Sequence, residues 1–371
     1  MKRLRIGFDV TSAVKRDGRG IAAYIRALLP ELAAAEPGIE PQLYIRDSRW
    51  FQKRLVRELL PSAPRRWQAG PFQPRGLDAY FGLGVRLPAR CAAPRIFTLH
   101  DLRVYDLPAA EDPRWVRIRT RRTAETVARA DGILCLSEHG RQRLQHHFPE
   151  FPLEATAVVP HGVDHRRFQP VAAETAAPVL ARHSIDRPFL LQVGQLAPHK
   201  NPRLSLEAFA DSHAAAGGIL LVFAGGAVPG CREDLERRAR ELGVGDRLRW
   251  LDQVAFDELP ALYSSAEVVL FPSHYEGFGL PLLEAMACGA PGVVSNATCL
   301  PEVNGGAWPL VDPYDPADLA RHLDRFLIDP HFRRETVSAG RFRADTFTWA
   351  ACARQTLDFL LQRLRARAER R

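Results

Sequence analysis

Along the chain, short apolar runs alternate with longer stretches in which apolar positions recur roughly every three to four residues. The short runs read as buried parallel strands and the longer stretches as the helices that connect them. In the first half the strand-like runs are Leu4–Phe8, Leu43–Ile45, Ile96–Leu99, Ile133–Leu136 and Ala157–Val159. In the second half they are Phe189–Val193, Ile219–Ala224, Leu248–Leu251, Val268–Phe271 and Gly292–Val294. This alternation predicts the α/β class, with doubly wound parallel sheets carrying helices on both faces. Between the halves, Gln169–Arg187 is rich in Ala, Pro and polar residues without a clear period, which marks an interdomain linker. Two lobes are expected, over 1–170 and 187–349, facing a central cleft, with a C-terminal helix over 350–371 packing back on the first. Ligands of open α/β sheets bind beyond the carboxyl ends of the strands, so the residues just after each strand are the ones to search for chemistry.

The length of 371 residues agrees with two domains at roughly 100–200 residues each. Hydrophobic residues make up 46% and charged residues 25%, an ordinary globular balance that excludes wholesale disorder. The formal net charge is +8, and apart from Lys2, Lys15, Lys53 and Lys200 every basic residue in the Lys+Arg total is arginine. Such an excess suits nucleic acid, an anionic membrane surface or a phosphorylated small molecule, so charge alone does not choose. The six cysteines, Cys91, Cys135, Cys231, Cys288, Cys299 and Cys352, are scattered without metal-ligand spacing, and are expected to be reduced and mostly buried. Asp9 interrupts the N-terminal apolar run before it could form a signal-peptide core, and Gly217–Val228 falls well short of the roughly 20 residues needed to span a bilayer. A cytoplasmic location is expected.

The densest chemistry follows the run Val268–Phe271. Pro272–Gly279 reads as a loop, Pro281 suits the first turn of a helix because it forfeits no hydrogen bond there, and Gly289 and Pro291 end that helix. Glu276 therefore falls on the loop and Glu284 on the helix, where both can face one ligand. A helix N-terminus presents N–H groups and partial positive charge, so the backbone from Gly279 to Leu282 suits a phosphate or pyrophosphate. Gly277 and Gly279 let a ligand approach the main chain closely. Two carboxylates on either side of an anion seat match a diphosphate flanked by sugar hydroxyls, which describes a nucleotide sugar. Lys200 follows Phe189–Val193 and would neutralise charge on the same diphosphate. Asn201–Pro202 reads as the cap and first turn of the next helix.

The segment around Glu276 and Glu284 resembles the Glu-(seven residues)-Glu signature of retaining glycosyltransferases of family 4, whose fold is GT-B, two Rossmann-like domains. Further pieces agree in order: Val193–Gly194 with His199–Lys200–Asn201, Ala224–Gly225–Gly226, Leu262–Tyr263 with Ala266, Glu284–Ala285–Met286–Ala287–Cys288–Gly289, and Leu300–Pro301–Glu302. The resemblance covers essentially the whole chain and is strongest from about residue 189 to 315. It implies an acceptor-binding first domain and a nucleotide-sugar-binding second one. It puts Glu276 against the donor sugar near the reacting centre and Glu284 on the nucleotide ribose. Gly277, Phe278, Gly279, Leu280, Gly194 and Gly20 complete the donor seat. The family often pairs its lysine with a nearby arginine. Here Gln195 and His199 stand at the candidate positions, leaving Arg203 as the substitute cation.

In the first half, His100–Asp101 resembles the family's His-Asp pair, where the histidine contacts the donor sugar and the carboxylate helps orient the acceptor. Gly18–Arg19–Gly20–Ile21–Ala22–Ala23–Tyr24 resembles its Gly-rich turn beside the donor diphosphate. Ala22–Ala23 stands where relatives carry Gly-Arg, with Arg19 a substitute. No D-x-D triplet occurs, so metal-independent transfer without a cofactor is expected, with positive groups and helix dipoles doing the metal's work. The subgroup resembles bacterial mannosyltransferases of surface-polysaccharide assembly. GDP-mannose is then the first donor expected and UDP-hexoses the alternative, with a glycan or lipid-linked glycan such as lipopolysaccharide, O-antigen or exopolysaccharide as acceptor.

Arg49–Leu60 and Arg114–Arg122 interleave aromatic residues with cations, as helices lying at the inner face of the cytoplasmic membrane do, or as ordinary helices with a solvated Arg face do. Rival readings are a sugar-nucleotide epimerase or a phosphorylase on two similar lobes, and a non-catalytic basic module for nucleic acid. The Glu pair speaks against the first. The absence of a lysine-centred pyridoxal phosphate context weighs against the second. Intact Glu276, Glu284, Lys200 and His100 favour an enzyme over the third, and no nucleic-acid partner is expected.

Overall fold

A computed structural model describes residues 3–14, 20–35, 39–46, 59–60, 63–68, 74–84, 86–110 and 112–369. The Gly18–Arg19 pair and nearly all of Arg49–Leu60 lie outside the described residues. The chain divides into two compact units, one made of Met1–Gly162 with Thr348–Arg371, the other of Val163–Phe347.

In the first unit the described strands are β1 Leu4–Asp9, β2 Ile39–Arg46, β3 Arg65–Gln68, β4 Ala79–Gly82, β5 Arg95–Leu99, β6 Gly132–Cys135 and β7 Thr156–Val158. They form a parallel sheet in the order β3-β2-β1-β4-β5-β6-β7. Sequence reading misses β3 and β4. Arg65–Arg66–Trp67–Gln68 is an edge strand with almost no apolar signal, and Ala79–Gly82 is too short to show a period. It also starts β2 four residues late, because Glu40, Pro41 and Gln42 interrupt the apolar run.

The final helix, Trp349–Ala368, belongs to this unit and packs on the helix Ile21–Ala35. Cys352, Ala353, Leu357, Phe359 and Leu360 join the same buried cluster as Ile6, Phe8, Leu28 and Phe81. The buried Arg363 fastens it further, donating to the carbonyls of Asp131 (3.0 Å) and Glu154 (3.2 Å).

In the second unit the strands are β8 Phe189–Val193, β9 Leu220–Ala224, β10 Leu248–Leu251, β11 Val268–Phe271, β12 Gly292–Ser295 and β13 Leu310–Val311, ordered β10-β9-β8-β11-β12-β13 and all parallel. Central strands here are buried throughout, which is why they read as continuous apolar runs. The two-residue β13 gives no signal. The expected linker Gln169–Arg187 instead contains a helix, Ala173–Arg182. Its alanines give helix propensity without a periodic apolar stripe, since only Ala176 is buried. It packs on the helix Leu259–Ser265, and Glu258 accepts from Arg182 (2.7 Å) and His183 (3.1 Å) at its end.

Strand order reverses direction between β8 and β11 in this unit. The carboxyl edge at such a reversal is the usual ligand position in open α/β sheets. In the first unit the same switch falls between β1 and β4.

Candidate active site

Lys200 and Glu276 sit on the two loops at the β8/β11 switch. Lys200 Nζ lies 2.5 and 2.7 Å from the two carboxylate oxygens of Glu276. Glu276 is buried, with 9% of its side chain exposed, and Ser273 Oγ donates to its Oε1 at 2.8 Å. Its backbone is fixed as well, with N–H donating to Thr298 Oγ1 (3.2 Å) and carbonyl accepting from Cys299 Sγ (3.3 Å). A buried carboxylate is tolerable only when paired and hydrogen-bonded, and both conditions are met here.

The loop carrying Lys200 is a short 3-10 turn, Pro198–Lys200, followed by Asn201 in the left-handed region at φ 52, ψ 48. Asn201 stands at the start of the helix Pro202–Asp211, yet its side chain makes no cap, contrary to the sequence expectation. Left-handed backbone turns the amide away from the helix. Its Nδ2 donates instead to the carbonyls of Pro272 (3.2 Å) and Pro313 (2.7 Å).

Gly194, directly after β8, has φ +133, and Gly225, after β9, has φ +149. A Cβ on Gly225 would lie 2.1 Å from the Gly194 carbonyl oxygen, so the close approach of these two strand-end loops requires glycine. Gly279, at φ +100, turns the chain into the helix Leu280–Ala287, with Pro281 in its first turn. That N-terminus carries no side-chain cap, consistent with a ligand anion as a partner for its N–H groups.

Glu284 is buried on this helix and accepts from Tyr263 Oη at 3.3 Å. The thiol of Cys288, one turn on, is pushed up to about 12 by burial and then by the Glu284 charge. Gly277 is half-buried on the same loop as Glu276. Phe278 turns its ring inward against Phe347 at 6.0 Å, so its side chain is core and only its backbone faces the loop. Leu280 is half-buried at the first helical position. Arg203 points to solvent and pairs with Glu207 at 3.0 Å.

The first unit has its own constellation. His100 follows β5 and is buried, its Nε2 2.9 Å from the Leu83 carbonyl, so Nε2 carries the proton and Nδ1 is left as an acceptor. Burial lowers its pKa and keeps it neutral. Tyr24, one turn into the helix that Gly20 opens at φ +60, packs edge-on against His100 at 5.1 Å and stacks on His161 at 4.6 Å. Tyr24 Oη is bonded to Thr98 at 2.8 Å. Burial, reinforced by His100, holds His161 well below the ordinary imidazole range. Asp101 is exposed and accepts from the Arg103 N–H at 3.1 Å.

Sequence reading passed over Ser273, Thr298, Gln192 and His161. Ser273 had a usable signal, because Ser-x-x-Glu is the spacing at which a hydroxyl and a carboxylate meet in a turn. Thr298 and Gln192 gave none, since Thr298 meets Glu276 across 22 residues and Gln192, inside a strand, reaches the Lys200 carbonyl only because the loop after that strand folds back.

Among the described residues no cluster of His, Cys, Asp or Glu could hold a metal ion, and no helix is long and apolar enough to cross a membrane.

Two family descriptions match the chain, "Glycosyltransferase Family 4" over residues 18–167 and "Glycosyl transferases group 1" over 181–343. The chain is 30% identical to O-antigen chain mannosyltransferase B of Escherichia coli over 284 residues, spanning 75% of this chain and 73% of that one. It is 28% identical to D-inositol 3-phosphate glycosyltransferase of Corynebacterium glutamicum, spanning 91% and 90%. Sucrose-phosphate synthase from Thermosynechococcus elongatus superposes with a TM-score of 0.75 at 25% identity, covering 98% of this chain and 100% of that one. HepE of Anabaena, in a complex with UDP and glucose, shares the fold with a TM-score of 0.75 at 17% identity, covering 97% and 100%. With its two parallel-sheet units and family 4 sequence, the chain belongs to the retaining glycosyltransferases of family 4, with the GT-B fold, and is a hexosyltransferase.

Proposed function

We propose that the protein transfers a mannosyl group from GDP-mannose to a hydroxyl of a growing cell-surface glycan, such as an O-antigen, lipopolysaccharide or exopolysaccharide. The observation that carries the donor half is the Lys200–Glu276 pair at the β8/β11 switch, next to the uncapped N-terminus of Leu280–Ala287. On donor binding, Lys200 and the helix terminus take the diphosphate, and Glu276 turns its carboxylate to the hydroxyls of the donor sugar. Glu284, oriented by Tyr263, accepts from the ribose. The acceptor oxygen attacks the anomeric carbon on the face from which the diphosphate departs. The bond from that carbon to the phosphate oxygen breaks, and the leaving diphosphate takes the acceptor proton. In the first unit, neutral His100 offers Nδ1 to a sugar hydroxyl and Asp101 orients the acceptor. No metal enters these steps, and we expect EDTA to leave turnover intact.

Mannose and a surface glycan are favoured by the likeness to the E. coli O-antigen enzyme and to an MMP α-(1→4)-mannosyltransferase of Mycolicibacterium hassiacum, 34% identical over 214 residues. A UDP-hexose is the alternative donor, given the UDP and glucose held by HepE. A thermal-shift screen of GDP- and UDP-linked sugars, followed by transfer assays with the stabilising donor, tests the assignment. Stabilisation by UDP-glucose but not GDP-mannose rejects mannose.

A peripheral membrane site has its own support. On the helix Pro113–Val127, Trp115 is 55% and Ile118 38% exposed among Arg114, Arg117, Arg119, Arg121 and Arg122. An exposed apolar pair ringed by arginines suits an anionic bilayer at the cytoplasmic face, where a lipid-linked acceptor would lie. Flotation with anionic liposomes tests it, and loss of flotation in Trp115→Ala is expected.

A further inference from the structure

We propose that Gln192 and Asn201 are positioning residues for Lys200 and, through it, for the donor diphosphate. The proposal rests on the role given to Lys200 above. Gln192 occupies β8, a strand buried along its whole length, and is itself 4% exposed. A buried amide in an apolar strand is destabilising unless its hydrogen bonds are made. Nε2 of Gln192 donates to the Lys200 carbonyl at 2.9 Å, while its Oε1 finds no hydrogen-bond partner among the described residues. A half-satisfied amide does not improve stability over a methionine of similar shape. Its one bond goes to the residue that must be aimed.

Asn201 holds the other side of Lys200. Its left-handed backbone suits asparagine, and its amide ties the loop after β8 to the loops after β11 and β13 through Pro272 and Pro313. The 3-10 turn has its own bonds, Lys200 N–H to the Ala197 carbonyl (2.9 Å) and Asn201 N–H to that of Pro198 (3.0 Å). The fold of the loop therefore survives without either amide. The His199 carbonyl already joins that loop to the Glu276 loop, accepting from the N–H groups of His274 (2.9 Å) and Tyr275 (3.3 Å), and the amides on either side of it set how the Lys200 backbone is held and hence where the ammonium points.

The test is calorimetric titration with GDP and with UDP, alongside thermal melting, on Gln192→Met, Asn201→Asp and Lys200→Ala, singly and combined. Asn201→Asp keeps the side-chain shape and tolerance of left-handed backbone but cannot donate to the two carbonyls. Should it fail to fold, Asn201→Gly serves, since glycine adopts that backbone freely. Gln192→Met is expected to melt at the wild-type temperature or above while the better nucleotide binds about three- to tenfold more weakly, the effect of one lost hydrogen bond. Asn201→Asp is expected to weaken binding at least about tenfold, having lost two. On the Lys200→Ala background, neither substitution should change affinity by more than about twofold, as required if both act through the lysine. Wild-type affinity in the single variants, or additive losses on the Lys200→Ala background, overturns the positioning role. Wild-type affinity in Lys200→Ala alone overturns the diphosphate reading and this proposal with it.

Discussion

Lys200 Nζ bonds both carboxylate oxygens of Glu276, at 2.5 and 2.7 Å, across the β8/β11 switch. Each charge makes the other's burial tolerable. In the proposed mechanism a donor that draws Lys200 onto its diphosphate would also release the carboxylate toward the donor sugar, linking occupancy of the phosphate seat to readiness of the acidic group.

Replacing Glu276 with Gln separates the two roles. Turnover is expected to fall by about 100-fold or more, the scale of losing one charge-stabilising contact in a transition state. Affinity for GDP or UDP should hold or tighten, because Lys200 no longer has a competing partner. Steady-state kinetics and nucleotide titration on the same preparation check this. Near-normal turnover rejects Glu276 as a catalytic residue.

Tyr263→Phe removes only the hydroxyl that meets Glu284. A hydrogen bond to a charged group contributes about 1.5–3 kcal/mol. At the weak end of that range, fitting a 3.3 Å contact, KM for the donor should rise about tenfold with kcat within about twofold. A fall in kcat with KM unchanged would move Glu284 away from the ribose.

Gly225→Ala and Gly194→Ala make a matched pair. Both positions have positive φ, but a methyl at Gly194 meets nothing within 4 Å, whereas one at Gly225 meets the Gly194 carbonyl at 2.1 Å. Gly194→Ala should cost only the backbone strain of a side chain at φ +133, about 1–3 kcal/mol. Gly225→Ala should cost more, from the added clash. Urea denaturation of the second unit reads the difference, and equal losses would contradict the geometry.

Stability should also depend on pH through the first unit. Burial lowers the pKa of His100 and lowers that of His161 further. In the unfolded chain both titrate near pH 6.5. Above about pH 6.5 both states hold neutral imidazoles, so the native state is at full strength with respect to these groups. As the pH falls below that value, the unfolded state takes up protons that the native state refuses, and stability drops until the native histidines titrate. His161→Phe, which keeps a ring against Tyr24, should flatten the drop in melting temperature on acidification. An unchanged slope would show that His161 is not one of the groups responsible.

The legibility of this molecule in its sequence follows the location of its contacts. Phe189–Val193 and Val268–Phe271 were readable to the residue, because strands buried on both faces announce themselves as apolar runs, and the edge strand Leu248–Leu251 was readable from its two buried leucines around half-buried Arg249 and Trp250. β3 and β13 were not, being an arginine-rich edge and a two-residue pairing. The positions of Glu276 and Glu284 were readable from the spacing of β11, its glycine loop and the helix start that follows, and that of Lys200 from its place after β8. The groups that hold them were hidden. Gln192 looks like part of a strand and Thr298 like part of a turn, and only folding brings them against Lys200 and Glu276. Asn201 was misread as a cap because sequence does not reveal left-handed backbone.

The helix Trp349–Ala368 fills the core of a sheet whose strands all precede Gly162. A nascent chain leaving the ribosome can therefore complete Val163–Phe347 while the earlier half still lacks part of its interior. The portion made first is finished last, and until then its exposed apolar face is a target for chaperones and proteases. Removing Trp349–Ala368 should accordingly damage the sheet that precedes Gly162, leaving Val163–Phe347 intact.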